Sequence, residues 1–270
     1  MKYKLLTVIL LASMFGFLAC QDDDDDDDIT FEPTPYTIEV PGGWPTILNI
    51  PEDNPMSVES IELGRHLFYD GRLSGRDHPD SLMSCGTCHL QEYAFEIGTN
   101  HPDYPNGRPH GLTGIPTPHV MLPFINLAWN NEGYLWNGMI NEDNPKTGAA
   151  PYGVPSEPQY HMKNIESLVW MGIHAPHEMN GTVKKTVDMI ASIDLYKPLF
   201  KAAYGDEEVT YDRISKSIAQ FLRILISDNS KFDQVLRGET QFSDSERRGL
   251  ILFTTEAGAD CFHCHGAPGN

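Results

Sequence analysis

Positive charge is scarce in this chain. Its 270 residues carry 19 Lys and Arg against 38 Asp and Glu, a net charge of −19. That imbalance argues against nucleic acid and against anionic membrane surfaces as partners. Long apolar runs are scarce as well: the N-terminal stretch Leu5 to Leu18 is short for a spanning helix. No alternation of apolar and polar residues lasts more than a few positions, which speaks against sheet. Methionine stops at Met189. Disulfides are excluded by arithmetic, because each of the five cysteines has another use.

Four of those cysteines sit in two copies of one pattern. Cys85-Gly86-Thr87-Cys88-His89 and Cys261-Phe262-His263-Cys264-His265 each place two thiols three apart with an imidazole directly after. This is the c-type haem attachment pattern. Two thiols at that spacing can form thioethers to the two vinyl groups of one haem, and the adjacent His is held against the iron as proximal ligand. A zinc site of the Cys-x-x-Cys kind is the competing reading. The wide separation of the two halves and the His after each favour haem.

The fifth cysteine closes an export segment. Lys2 and Lys4, the apolar stretch, and Ala19-Cys20 resemble a bacterial lipoprotein signal, residues 1–19, with Cys20 as the lipidated first residue. Phe17 departs from the usual Leu there, and an uncleaved anchor or plain secretory signal is the alternative. Gln21 and the run Asp22 to Asp28 then make a self-repelling tether. Residues 20–55 as a whole read as this tether followed by a Pro/Gly-rich arm lying on the domain. The expected location is the cell envelope, lipid-anchored and outside the cytoplasm.

Periodicity predicts helices from Ser57 to Tyr69, Asn164 to Met171, Thr182 to Ile193 and Thr210 to Ser227. Another opens at the capping box Ser243-Asp244-Ser245-Glu246 and runs through Phe253. Residues 98–123, with His101, His110 and His119, and residues 141–160 are dense in turn signals and read as loops. The fold class is mainly α: two cytochrome-c-like haem domains with long loops, the second largely missing. The first spans 56–240 with its connecting helices, and 241–270 starts the second.

From about residue 58 onward the chain resembles the bacterial di-haem cytochrome c peroxidases and the wider group that includes the tryptophan-modifying di-haem oxidases. Leu63 to Ser74, the first haem motif, Asn126-Leu127-Ala128-Trp129 and Tyr134-Leu135-Trp136-Asn137-Gly138 carry the resemblance. So do Ala175-Pro176-His177-Glu178-Met179, Ala219-Gln220-Phe221, Asn229 to Asp233, Arg248 to Phe253 and the second motif. The resemblance implies two covalent c-type haems, a peroxide-binding one on Cys85, Cys88 and His89 and an electron-entry one on Cys261, Cys264 and His265. It implies reduction of hydrogen peroxide to water with electrons from a small cytochrome or copper protein. Glu178 takes the place of the distal acid–base carboxylate, with a helix-terminal charge as the plainer alternative. Trp136 takes the place of an electron relay between haems. His110 matches best a His that ligates the resting first haem, with His101 and His119 as rivals. Family members are often dimers.

Departures are visible too. Trp136-Asn137-Gly138-Met139 lacks the family's Asp and Arg. Pro118-His119-Val120 replaces an Arg-Asn pair whose Asn helps hold an interdomain calcium, which weighs against calcium. The chain ends five residues after His265, where the family continues and supplies a distal Met, so a C-terminally truncated sequence is expected, with a natural short form whose site a partner completes as the alternative. Two other functions compete with the peroxidase: a di-haem oxidase of a protein or organic substrate acting through high-valent iron, and a non-catalytic electron-transfer cytochrome. Glu178 favours an enzyme, because an electron carrier needs no proton-transfer group over an open iron.

Overall fold

A computed structural model of the chain describes residues 31–265, other than 99, 105, 132, 136, 137 and 139–163. The export segment, Cys20, the acidic run, Trp136 and the 141–160 loop therefore lie outside the described residues. From Glu32 onward the chain belongs to one body. It is helical, with only isolated bridges such as Pro35–Ser57 and His110–Pro116 among the described residues. None of the described helices is long and apolar enough to cross a membrane.

Helix α1 (Val58–Tyr69) begins where the Ser57 hydroxyl accepts the Ser60 N–H at 3.3 Å. Its apolar spacing puts Leu63, Leu67 and Phe68 inside. They meet α5 (Tyr211–Arg223), capped by Thr210 and burying Ile214, Ile218, Phe221 and Leu222. The two helices touch at Gly64, where a Cβ would lie 1.9 Å from the Ser217 carbonyl oxygen. Only glycine permits that crossing. Each of these fully buried side chains contributes about 1.5–3 kcal/mol of hydrophobic stabilisation.

Helix α2 (Asn164–His174) packs on α5 and runs one turn past its expected end. Helix α3 (Val183–Ala191) starts at Thr182, as the sequence suggests, and Thr186 Oγ1 donates to the Leu73 carbonyl at 3.1 Å. Two helices ahead of the second haem motif escape the periodicity reading. In α4 (Tyr196–Tyr204) no side chain caps the start, Leu195 standing at the cap position. The other, α6 (Lys231–Leu236), has six residues, fewer than two turns of pattern.

Among its described residues the arm preceding Ser57 has no helix, as expected, and is fixed by the buried Ile38 and Met56 and by polar contacts. Arg223 and Glu166, 0% and 5% exposed, form a two-pronged ion pair at 2.7 and 3.0 Å. Asn54 donates to Glu166 at 2.7 Å and accepts from Gln220 at 2.7 Å, and Arg223 also donates to the Asn49 carbonyl. Trp44 stands edge-on to Trp129 at 4.8 Å and donates to Asp233. The arm thus knits α2, α5 and α6 from outside.

Helix α7 (Asp244–Thr254) opens on the expected capping box, with Ser243 and Glu246 each accepting the other's backbone N–H. None of its residues is buried. The short α8 (Phe262–His265) carries the second Cys-x-x-Cys-His motif.

Candidate haem site

Both motifs fold into the same turn. The His89 N–H donates to the Cys85 carbonyl at 2.9 Å and the Cys88 N–H to the same oxygen at 3.2 Å. At the second motif the corresponding bonds, His265 to Cys261 and Cys264 to Cys261, are 3.0 and 3.2 Å. The five-residue pattern alone accounts for this geometry. Surroundings then separate the two.

Around the first motif a cavity of about 520 Å³ opens, lined by Cys85, Cys88 and His89 and by apolar side chains including Phe68, Met121, Leu122, Leu135 and Leu222. Its size falls in the range of small-molecule and cofactor sites, roughly 300–1,000 Å³. His89 is 8% exposed. Its Nδ1 faces the Phe95 carbonyl at 2.5 Å, and its ring stacks on Phe124 with centroids 3.6 Å apart. The bond to a carbonyl commits Nδ1 as the protonated nitrogen and leaves Nε2 for a metal. Burial pushes the imidazole down to about 4, so it is neutral and able to ligate.

Glu178 lines the same cavity. It follows α2 in a turn in which the Glu178 N–H bonds back to Ala175 and the Met179 N–H to Gly172. The loop 111–113 holds the turn from the other side. Gly111 N–H donates to the His177 carbonyl at 2.8 Å, Leu112 N–H to the Glu178 carbonyl at 3.0 Å, and Thr113 Oγ1 to Pro176 at 2.6 Å. Gly172 leaves room for the side chain, since a Cβ there would lie 2.9 Å from Glu178 Oε2. Burial raises the Glu178 carboxyl to about 7. Burial, reinforced by the nearby Glu178 charge, raises both thiols to about 12, so carboxyl and thiols share one poorly solvated space.

These residues fit a covalently attached haem. The fit rests on two thiols and a committed imidazole in one wall of an apolar cavity of suitable volume. At the second motif Cys264 and His265 are exposed and Cys261 is half-buried. No described residue encloses them as the first motif is enclosed. The local attachment geometry is present there without a pocket.

Of the three candidate distal histidines, His110 and His119 line the cavity, and both are exposed. His101 does not line it and stacks on Tyr104. Sequence reasoning singled out the pair His110-Gly111 and gave Gly111, which holds the turn of Glu178, no role of its own. It also overlooked Phe124, Gly172 and the side chain of His177. The Phe124 contact joins segments with no shared pattern. The glycines carried a readable signal, one beside a flagged His and one inside a helix.

A mainly helical body, a covalent haem motif in a buried pocket and a poised carboxyl define a c-type haem oxidoreductase. The chain belongs to the di-haem cytochrome c peroxidase family, whose model matches residues 58–241. It is 30% identical over 217 residues to methylamine utilization protein MauG of Methylorubrum extorquens, covering 80% of this chain and 51% of that one. It is 30% identical over 215 residues to cytochrome c551 peroxidase of Nitrosomonas europaea, covering 79% and 53%. The crystal structure of a MauG-like protein associated with microbial copper homeostasis superposes with a TM-score of 0.66 at 30% identity, over 86% of this chain and 58% of that one. The chain thus spans about half the length of the curated relatives it matches. Family membership implies two c-type haems, and both attachment motifs are present.

Proposed function

We propose that the protein is a di-haem cytochrome c peroxidase that reduces hydrogen peroxide to water at its first haem, drawing electrons from a small cytochrome or copper protein. The observation that carries this reading is Glu178, fixed in the cavity of Cys85, Cys88 and His89 with its carboxyl at about 7. Cys85 and Cys88 would anchor the haem by thioethers and His89 Nε2 would ligate it. Bound haem supplies the iron at which the O–O bond of peroxide breaks and the path by which electrons arrive.

The chain's own residues supply the protons. A carboxyl near 7 is neither always ionised nor always protonated at neutral pH. It can take a proton from the near oxygen of peroxide and give one to the departing oxygen. The apolar walls keep bulk water from competing and strengthen the carboxyl's effect. The hydrogen bond from His89 to Phe95 holds the proximal imidazole in one tautomer.

An oxidase of a protein or organic substrate is the second reading, supported by the likeness to MauG. The test uses full-length, haem-loaded protein. The second haem is reduced, peroxide is added, and the first haem's spectrum is followed with oxidation of a donor cytochrome. The peroxidase reading expects donor oxidation in step with peroxide loss. A long-lived oxidised haem without donor turnover would favour the oxidase.

The reading extends to the cell. Export on the signal at residues 1–19 and a lipid on Cys20 would hold the enzyme at the envelope, with the acidic run as a spacer. Mass spectrometry of the N-terminal peptide from native membranes checks this.

A further inference from the structure

Reducing one hydrogen peroxide to two waters takes two electrons and two protons from outside. A carboxyl facing an apolar cavity can relay the proton that peroxide brings, and it needs a supply for the others. The imidazole beside it is His177. Its Nε2 lies 3.7 Å from Glu178 Oε1, the two side chains are 16% and 27% exposed, and both line the same cavity. We propose that His177 passes protons from solvent to Glu178, acting through that carboxyl and touching no reacting atom. The inference rests on Glu178 being the acid–base group.

Three observations support it. The carbonyls of residues 177 and 178 are both pinned by the N–H groups of Gly111 and Leu112, so the two side chains leave a fixed stretch of backbone. A small side-chain rotation or one bridging water closes 3.7 Å to a hydrogen bond, and such contacts commonly tighten only when substrate is bound. Burial drives the two groups toward each other, the carboxyl up to about 7 and the imidazole down, so a proton costs little to move between them. The other titratable side chains facing the cavity are His89, His110, His119 and the two thiols, which haem attachment would convert to thioethers.

The step balances. Protonated His177 gives its Nε2 proton to the Glu178 carboxylate and becomes neutral. The Glu178 carboxyl moves peroxide's own proton from the near to the departing oxygen, which leaves as the first water, and passes each proton from His177 to the remaining oxygen, which becomes the second water. The imidazole regains a proton from solvent. Two such deliveries match the two electrons that the donor redox protein supplies, and the O–O bond is the one broken.

The test uses full-length, haem-loaded protein with His177→Gln and, as reference, Glu178→Gln. Without turnover, time-resolved infrared after a pH jump reads how fast the Glu178 carboxyl takes up a proton; in His177→Gln that uptake slows about tenfold. In turnover, His177→Gln keeps its haem spectra and KM and loses kcat about tenfold. Its solvent deuterium isotope effect grows, and added imidazole restores part of the rate. An unchanged rate of carboxyl protonation, or a slower His177→Gln with an unchanged isotope effect and no rescue, overturns the proposal. If Glu178→Gln itself turns over at the native rate, the acid–base reading has failed and the His177 inference falls with it.

Discussion

A Cβ on Gly111 would lie 1.8 Å from the carbonyl oxygen of Glu178. The loop holding His110 can therefore reach the turn after α2 only because residue 111 has no side chain. Gly111→Ala should push the two segments apart and unseat Glu178 while leaving the Cys85–His89 turn untouched. Haem content should stay native by pyridine haemochrome assay, and peroxide turnover should fall by about tenfold or more.

Glu178→Gln removes the proposed proton carrier and keeps the shape. Turnover with peroxide should drop by roughly 10²-fold or more, with both haems still attached. Stopped-flow spectra at the first haem check this, and native-rate O–O cleavage would reject the role.

The same substitution should stabilise the fold in alkaline solution. Glu178 has its folded carboxyl raised from an ordinary 4.5 to about 7, so the native state holds a proton that the unfolded chain releases. Its stability contribution is present below the unfolded value and is lost as pH rises through the folded one. Glu178→Gln should match the wild type at pH 4 and exceed it at pH 8 by roughly 2–3 kcal/mol. Denaturant unfolding at the two pH values measures the difference.

Glu166 and Arg223 are buried as a pair, with Asn54 and Gln220 around them. Removing one partner strands the other charge. Glu166→Ala should cost about 3–5 kcal/mol, and Glu166→Met with Arg223→Met should cost much less. A double-mutant cycle in urea resolves the coupling.

Cys261→Ala with Cys264→Ala should leave one haem on the chain, read as a mass lower by one haem. Because the first motif has its own pocket, the spectrum of that haem should persist. Peroxide-dependent oxidation of a donor cytochrome should stop if electrons enter through the second haem.

Helix starts were legible because a cap is a local device. Ser57, Thr182, Thr210 and Ser243 each bond a backbone N–H three residues on, as their positions before apolar runs suggest. Helix α4 was not legible, since Leu195 gives no such sign and packing onto α1 holds it. In the site, Glu178 could be picked out only by resemblance. Its raised carboxyl comes from burial in a cavity whose walls come from residues 68–89, 109–124 and 168–179, which no single window contains.

The Cys-x-x-Cys-His segment shows where the division lies. Its turn is fixed by the sequence itself, because hydrogen bonds three and four residues apart close it identically at residues 85–89 and 261–265. Whether that turn becomes a reactive site was decided by tertiary structure. At the first copy α1, α2, α5 and the loops around 111 and 124 bury His89, fix its tautomer and bring a desolvated carboxyl into the cavity. Local hydrogen bonding needs only neighbours in the chain, whereas desolvation needs walls, and walls come from segments far apart in sequence.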